Sequence, residues 1–242
     1  MKPFRWKNCF ADVQASKHDM TIESYFQDVI VPALATLDTK IEELENSDWP
    51  GAVFAKADME EVRLETARAF GLSIQSIWER QLRSYLLGCA KDLRPGEPFA
   101  TKIEKANWKE LQKLFRSLRG IGLDAFPSFA VLDALQHLGN ACRHGDGDSA
   151  EELARRYPDF WPVIPPMPPG FGALPPSPPR VAQMRIPQER LQEFVAAIAR
   201  FWRDAEFLYN ESIERKDPGL EARLVRERTA RDWLPLAPTD GN

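Results

Sequence analysis

A chain of 242 residues with 43% hydrophobic and 28% charged side chains has the composition of a globular protein able to bury a substantial core. Its net charge of −4 excludes a surface built to coat nucleic acid, while leaving room for a local basic site. The first ten residues mix Lys2, Arg5 and Lys7 with aromatics and lack the apolar stretch of a secretory leader, and no apolar run reaches the roughly 20 residues of a membrane span.

The expectation is therefore a cytoplasmic protein with no membrane partner. Cys9, Cys89 and Cys142 are odd in number and far apart in the sequence, which predicts no disulfide framework and a reducing compartment.

The hydrophobic spacing is helical almost throughout. From Thr21 to Ser47, Tyr25, Val29, Leu34, Leu37, Ile41 and Leu44 recur at intervals of three to five, with Thr21 at the helix start and Pro32 expected to kink the run or begin a new helix. After the break at "SDWPGA", a long amphipathic helix is predicted from Asp58 to Leu93, with Phe70, Ile74, Ile77, Trp78, Leu82, Tyr85, Leu86 and Cys89 on its apolar side. Glu79 and Arg83, four apart, add a weak supporting pair. Further helices are expected at 105–119, at 127–144 with Pro127 in the first turn, and from Asp148, where Glu151 completes a capping-box pattern.

Nine prolines then fall between 162 and 180, so this stretch reads as extended or polyproline-like. A crossover loop is preferred over a docking strip for an aromatic groove. Pro187 opens a long helix carrying Leu191, Phe194, Val195, Ile198, Trp202, Ala205 and Tyr209 on one side; "DPG" ends it, and a last helix covers roughly 219–232. In that last helix a salt-bridged surface is preferred over an RNA-contacting arm built from Arg223, Arg226, Arg228 and Arg231. Strand alternation and internal repeats are missing, and the fold class is all-α.

The 127–144 helix carries the candidate chemistry. At about 100° per residue, Val131, Leu135, Leu138 and Cys142 form a core stripe, and Asp133, His137, Asn140 and His144 form a polar stripe almost opposite. Ala130, Ala134 and Ala141 occupy a flank that a second helix could approach closely. Gly139, which costs about 1 kcal/mol in a helix interior, points to a close packing contact. Gly145 and Gly147 fit an exit through positive φ, leaving His144 in the last turn, where unpaired carbonyls attract cationic side chains.

An imidazole, the adjacent Arg143 and an orienting amide are the parts of a metal-free RNA transesterification site. One group takes the ribose 2′-OH proton, another protonates the leaving oxygen, and cationic donors stabilise the phosphorane. The simpler reading, a capped helix end leading into a turn, stays open beside it. Cys142 and His144 lack further ligands at zinc spacing, and Cys142, on the core face, is a poor nucleophile for either histidine. No metal or other cofactor is predicted. "RGIGLDAF" reads as a turn, since it lacks phosphate-loop spacing.

The segment "NACRHG" resembles the signature helix of the HEPN superfamily, all-α domains that frequently act as metal-independent RNases. In that motif an arginine precedes a polar residue, often asparagine, and a histidine follows late in the helix. Asn140 and His144 match the last two. "SIWERQLRSYLLG" resembles the family's glutamate- and aromatic-bearing helix. The motif arginine is replaced by Gly139; Arg143, Arg119 or Arg80 are the candidates to take its role.

The resemblance covers roughly 60–160. It implies a HEPN-like helical bundle as the core (51–161); the additional N-terminal helices (1–50), the proline-rich loop (162–186) and the C-terminal helices expected to pack on the core (187–242) lie outside it. It further implies an endoribonuclease with His144 as acid/base, Asn140 as its partner, Arg143 as charge stabiliser, and His137 and Asp133 as accessory groups. The partners it implies are an RNA substrate, a second copy in a homodimer, and a co-encoded regulator, in the setting of a toxin or effector of bacterial anti-phage defence. The alternative is a catalytically inactive scaffold or nucleotide-binding interaction module.

Overall fold

The computed structural model describes residues 3–162 and 178–236. Most of the proline-rich strip lies outside them. The described α-helices are α1 (Phe10–Gln14), α2 (His18–Tyr25), α3 (Val31–Glu45), α4 (Ala52–Leu93), α5 (Phe99–Lys105), α6 (Trp108–Arg119), α7 (Phe129–His144), α8 (Asp148–Arg156), α9 (Gln188–Ser212) and α10 (Pro218–Ala230). Beyond these and short 3-10 turns, the only strand-like feature among the described residues is an isolated bridge between Pro3 and Leu236. The all-α expectation is met. No described helix is long and apolar enough to cross a membrane.

The chain packs into two compact units. One comprises Met1–Ile22, Trp78–Ala130 and Ala196–Asn242; the other comprises Glu23–Ile77 and Val131–Val195. In the first, an aromatic cluster forms the centre. Trp78 meets Phe201 and Trp202 with ring centroids 4.9 and 5.9 Å apart, and Phe126 packs on Phe201 at 4.8 Å. All four rings are buried, and each pair favours tilted or edge-on contact over a face-to-face sandwich. The fully buried indole of Trp78 therefore contributes several kcal/mol of apolar burial.

In the second unit, Ile30, Leu34, Ile74, Leu135, Leu138, Leu153, Phe160, Leu191 and Phe194 are buried, and Tyr157 stacks on Phe160 at 5.1 Å. Gly71 lets Leu138 come in close, since a Cβ there would lie 3.0 Å from its Cδ2.

Several boundaries differ from the sequence reading for identifiable reasons. Helical structure begins before Thr21, already at Phe10, and Thr21 only bonds back to the Lys17 carbonyl. Pro32 does lie in the first turn of a helix, α3, as one of its two expected roles has it, but a π-turn at Phe26–Ile30 leads into that helix without a break. The buried row there is Ile22, Phe26, Ile30 and Leu34 rather than Tyr25 and Val29, and Val29 is 46% exposed. Four-residue spacing drifts about 40° per step in an α-helix, and the wider π-turn takes up part of that drift.

Asp148 lies in the first turn of α8 and makes no cap, Gly147 being the N-cap residue. Helix α9 ends at Ser212, before "DPG" is reached, and "DPG" instead begins α10: Asp217 accepts from the Gly219 and Leu220 amides at 2.8 and 3.0 Å, with Pro218 at N1. The charged surface of α10 is ion-paired, Arg228 with Glu211 and Glu221, Arg231 with Asp204, and Arg223 with Glu227.

Helix α6 begins at Trp108, three residues later than the spacing predicts, because Asn107 caps it. The Asn107 side chain accepts from the Glu110 amide at 3.0 Å, and the Glu110 carboxylate accepts from the Asn107 amide at 2.8 Å. Asn107→Ala is expected to lower stability by about 1 kcal/mol in chemical denaturation. A loss below a few tenths would mean that the exposed helix end satisfies itself with water.

Candidate functional site

Helix α7 turns Leu132, Ala134, Leu135, Gln136, Leu138, Gly139 and Ala141 inward. Val131 and Cys142, placed on the core stripe by spacing, are only half-buried. Leu132, Ala134 and Ala141 take more of the burial than that stripe predicts. The helix ends at His144, where Gly145 leaves at φ +83° and donates its amide to the Ala141 carbonyl at 2.9 Å. A second positive-φ glycine, Gly147, carries the chain into α8.

The polar stripe divides in two. Asn140 and His144 are exposed and line one open depression of about 360 Å³, completed by Gly145, Asp146, Gly147, Asp148 and Ser149. Asp146 also accepts the Val181 amide at 2.7 Å, which ties this turn to the segment entering α9.

One and two turns earlier, His137 and Asp133 belong to an ion-pair cluster. Arg156 of α8 donates to Asp133 at 2.8 Å and also bonds Glu152, and His137 Nε2 lies 3.9 Å from Asp133. Hydrogen bonds from Arg155 and Arg156 hold the Glu152 carboxyl at about 2. His137 Nδ1 is buried with no hydrogen-bond partner among the described residues. These accessory residues thus join α7 to α8 rather than opening onto the Asn140–His144 depression.

Arg143, off the stripe, turns to α4. Its guanidinium donates to Gln75 Oε1 of α4 at 3.1 Å, and Gln75 Nε2 in turn donates to Gln136 Oε1 at 3.0 Å. Gln75 also explains Gly139: a Cβ there would meet Gln75 Cγ at 2.5 Å and Cδ at 2.7 Å. The close contact expected at this glycine is therefore made by a glutamine of the same chain. Of the small-residue flank, Ala134 and Ala141 are used internally at 0% exposure, while Ala130 is exposed.

Arg119, another candidate for the missing arginine, is fully buried and paired with Asp12 at 2.8 Å. Cys142 borders a separate depression with Glu65, Arg68 and Val181, and burial pushes its thiol up to about 11, so it stays protonated near neutrality. Among the described residues no group of three or more His, Cys, Asp or Glu side chains is set to hold a metal ion. The Gln75–Gln136 pair was beyond sequence reasoning. Its one trace is the glycine in mid-helix, which announces a close neighbour without saying which.

Compared with known proteins, the chain matches no family model, no curated protein and no solved structure.

Proposed function

We propose that the protein is a HEPN-like metal-independent endoribonuclease, a toxin or effector of anti-phage defence, working in the cytoplasm as a homodimer with a co-encoded regulator. The observation that carries the reading is the placement of Asn140 and His144, one turn apart at the end of α7 and exposed over a single depression. Their chemistry is uncommitted to the fold. In this reading His144 exchanges the proton of the ribose 2′-OH, and Asn140 orients it or contacts phosphate. Arg143, next to His144 in the chain, supplies charge to the phosphorane once it leaves Gln75, and a second copy brings its own histidine and cations to the same crevice.

The test is purified protein incubated with total RNA in EDTA. Cleavage is expected to persist under chelation and to fall by about 100-fold or more in His144→Ala, the usual scale for losing an acid/base group. Helicity should be unchanged, because His144 is exposed. Equal cleavage by the variant would remove the assignment.

A second reading, a catalytically inactive HEPN-like scaffold or nucleotide-binding module, is favoured by a specific observation. The lining of the depression includes Asp146 and Asp148 but no lysine or arginine, and Arg143 is held by Gln75. Two carboxylates beside the histidine oppose a phosphodiester unless cations arrive from elsewhere. Absence of cleavage with no rise in melting temperature on adding mononucleotides would select the scaffold, and a rise would select the nucleotide-binding module.

A further inference from the structure

Two cysteines that lie 80 residues apart in sequence meet in space. Cys9, at the N-cap of α1, places its sulfur 3.4 Å from that of Cys89 on α4, and both are free thiols. The approach is built in: Gly88 gives way to α1, since a Cβ there would sit 2.8 Å from the Ala11 Cβ. The N-terminal segment is tied down ahead of Cys9, by the Phe4 amide on the Pro235 carbonyl, the Trp6 amide on Ser212 Oγ and the Asn8 side chain on the Tyr209 carbonyl.

A cation serves both sulfurs. Arg119 Nη1 lies 3.6 Å from Cys9 Sγ and 3.8 Å from Cys89 Sγ, while its Nη2 donates to Asp12 at 2.8 Å and its plane covers the Trp6 ring at 3.8 Å. The guanidinium cannot lose its charge in this setting.

From this geometry we infer that Cys9 and Cys89 form a peroxide-oxidisable dithiol, a modification site that closes into an intramolecular disulfide. The two sulfurs have different roles. Cys9 retains 9% exposure and Cys89 none, so a small oxidant meets Cys9 first. The sulfur–sulfur contact with Cys89 and the nearby Arg119 charge lower the Cys9 thiol below its ordinary value; the same contact and burial raise that of Cys89. Cys9 is therefore the nucleophile and Cys89 the resolving thiol.

In the first step the Cys9 thiolate attacks one oxygen of hydrogen peroxide. The O–O bond breaks, Cys9 becomes a sulfenic acid, and the released hydroxide takes up a proton to give water. In the second, the Cys89 sulfur attacks Cys9 Sγ; the S–O bond breaks, and the Cys89 proton leaves with hydroxide as a second water. Two thiols lose two electrons and one peroxide gains them. Sequence separation concealed this pair, because cysteine counting assumes that pairs belong to a framework.

The test uses the full chain, fully reduced, exposed to hydrogen peroxide, alkylated, and read by intact mass and by digestion without reductant. The expected result is the loss of two hydrogen masses, a Cys9–Cys89 linked peptide, alkylation confined to Cys142, and full reversal by a dithiol reductant. In Cys89→Ala, Cys9 is expected to run on to sulfinic acid for want of a resolving partner. Should wild-type Cys9 accumulate as sulfinic acid with Cys89 still alkylatable, or should both stay reduced while Cys142 oxidises, the inference is overturned. Because the wild-type chain carries the decisive measurement, misfolding of the variant cannot hide the answer.

Discussion

Asp12→Ala is expected to destabilise the protein by about 3–5 kcal/mol, the scale of breaking a buried ion pair by removing one partner. The Asp12 carboxylate, 2% exposed, accepts three bonds at 2.8 Å, from Arg119 Nη2, the Tyr85 hydroxyl and the Cys9 amide. Arg119 is itself 0% exposed, lies against Trp6 and cannot shed its charge. Removing the carboxylate leaves that charge in a low-dielectric site facing, among the described residues, the Lys7 carbonyl, two thiols and the rings of Trp6 and Tyr85. The apolar gain of alanine does not offset this.

The scale of the loss is a large share of the roughly 5–15 kcal/mol that holds a domain together, and corresponds to a fall in Tm of about 10 °C. Asp38→Ala provides the contrast. It breaks an ion pair to Arg63 of similar length, 2.9 Å, but Asp38 is 54% exposed and the cost should stay within about 1 kcal/mol. Thermal melts of both variants check the difference. Equal losses would mean that water reaches Arg119 and that the cluster is not the dry site described.

What the sequence disclosed, and what it withheld, follows from the range over which each signal acts. Helix existence was legible because a buried stripe repeats every turn: Ile74, Trp78, Leu82, Tyr85, Leu86 and Cys89 of α4 are all buried as the spacing predicts. The end of α7 was legible for a local reason too, since Gly145 supplies the positive φ that lets the chain leave just after His144. Helix starts were legible where proline or a turn marks them: α8 at Asp148, α9 at Gln188 and α10 at Pro218 lie within a residue of expectation. They were not legible where they depend on single hydrogen bonds such as Asn107 with Glu110, or on a π-turn that no periodicity count anticipates.

The candidate site divides along the same line. The exposure of Asn140 and His144 follows from helical phase alone. The fates of the other polar residues are tertiary. Arg143 goes to Gln75 and Asp133 goes to Arg156, 68 and 23 residues away. Burial of Arg119 could not be read from a residue type that usually faces water, and its compensation comes from Asp12, 107 residues earlier. Pairings at that distance leave no periodic trace, and a charged residue reads as solvated until its partner is known.

Placing an arginine in front of Asn140 is the change the HEPN resemblance invites, and Gly139→Arg is expected to destabilise by about 3 kcal/mol or more instead of completing a site. The first methylene alone is refused. A Cβ at position 139 lies 2.5 Å from Gln75 Cγ and 2.8 Å from Gln75 Oε1, and Gln75 is 1% exposed and bonded to both Gln136 and Arg143. Its side chain cannot swing aside without breaking those bonds, so overpacking of about 1–3 kcal/mol adds to the cost of an unpaired guanidinium.

The effect should already be visible in Gly139→Ala. Helix propensity would gain about 1 kcal/mol there, yet the clash is expected to reverse the sign. Gln75→Ala opens the space, so the Gly139→Ala and Gln75→Ala pair should couple by about 0.5–3 kcal/mol in a double-mutant cycle. Additive losses would show that Gln75 does not cause the glycine. In the Gln75→Ala background the three atoms nearest a Cβ at 139 are gone, and Arg143 is released from its present partner. That double variant separates the two functional readings. A gain in RNA cleavage over the parent would tie the weakness of the site to the missing arginine. Unchanged silence with restored stability would favour the scaffold, because the charge would then be present and the chemistry still absent.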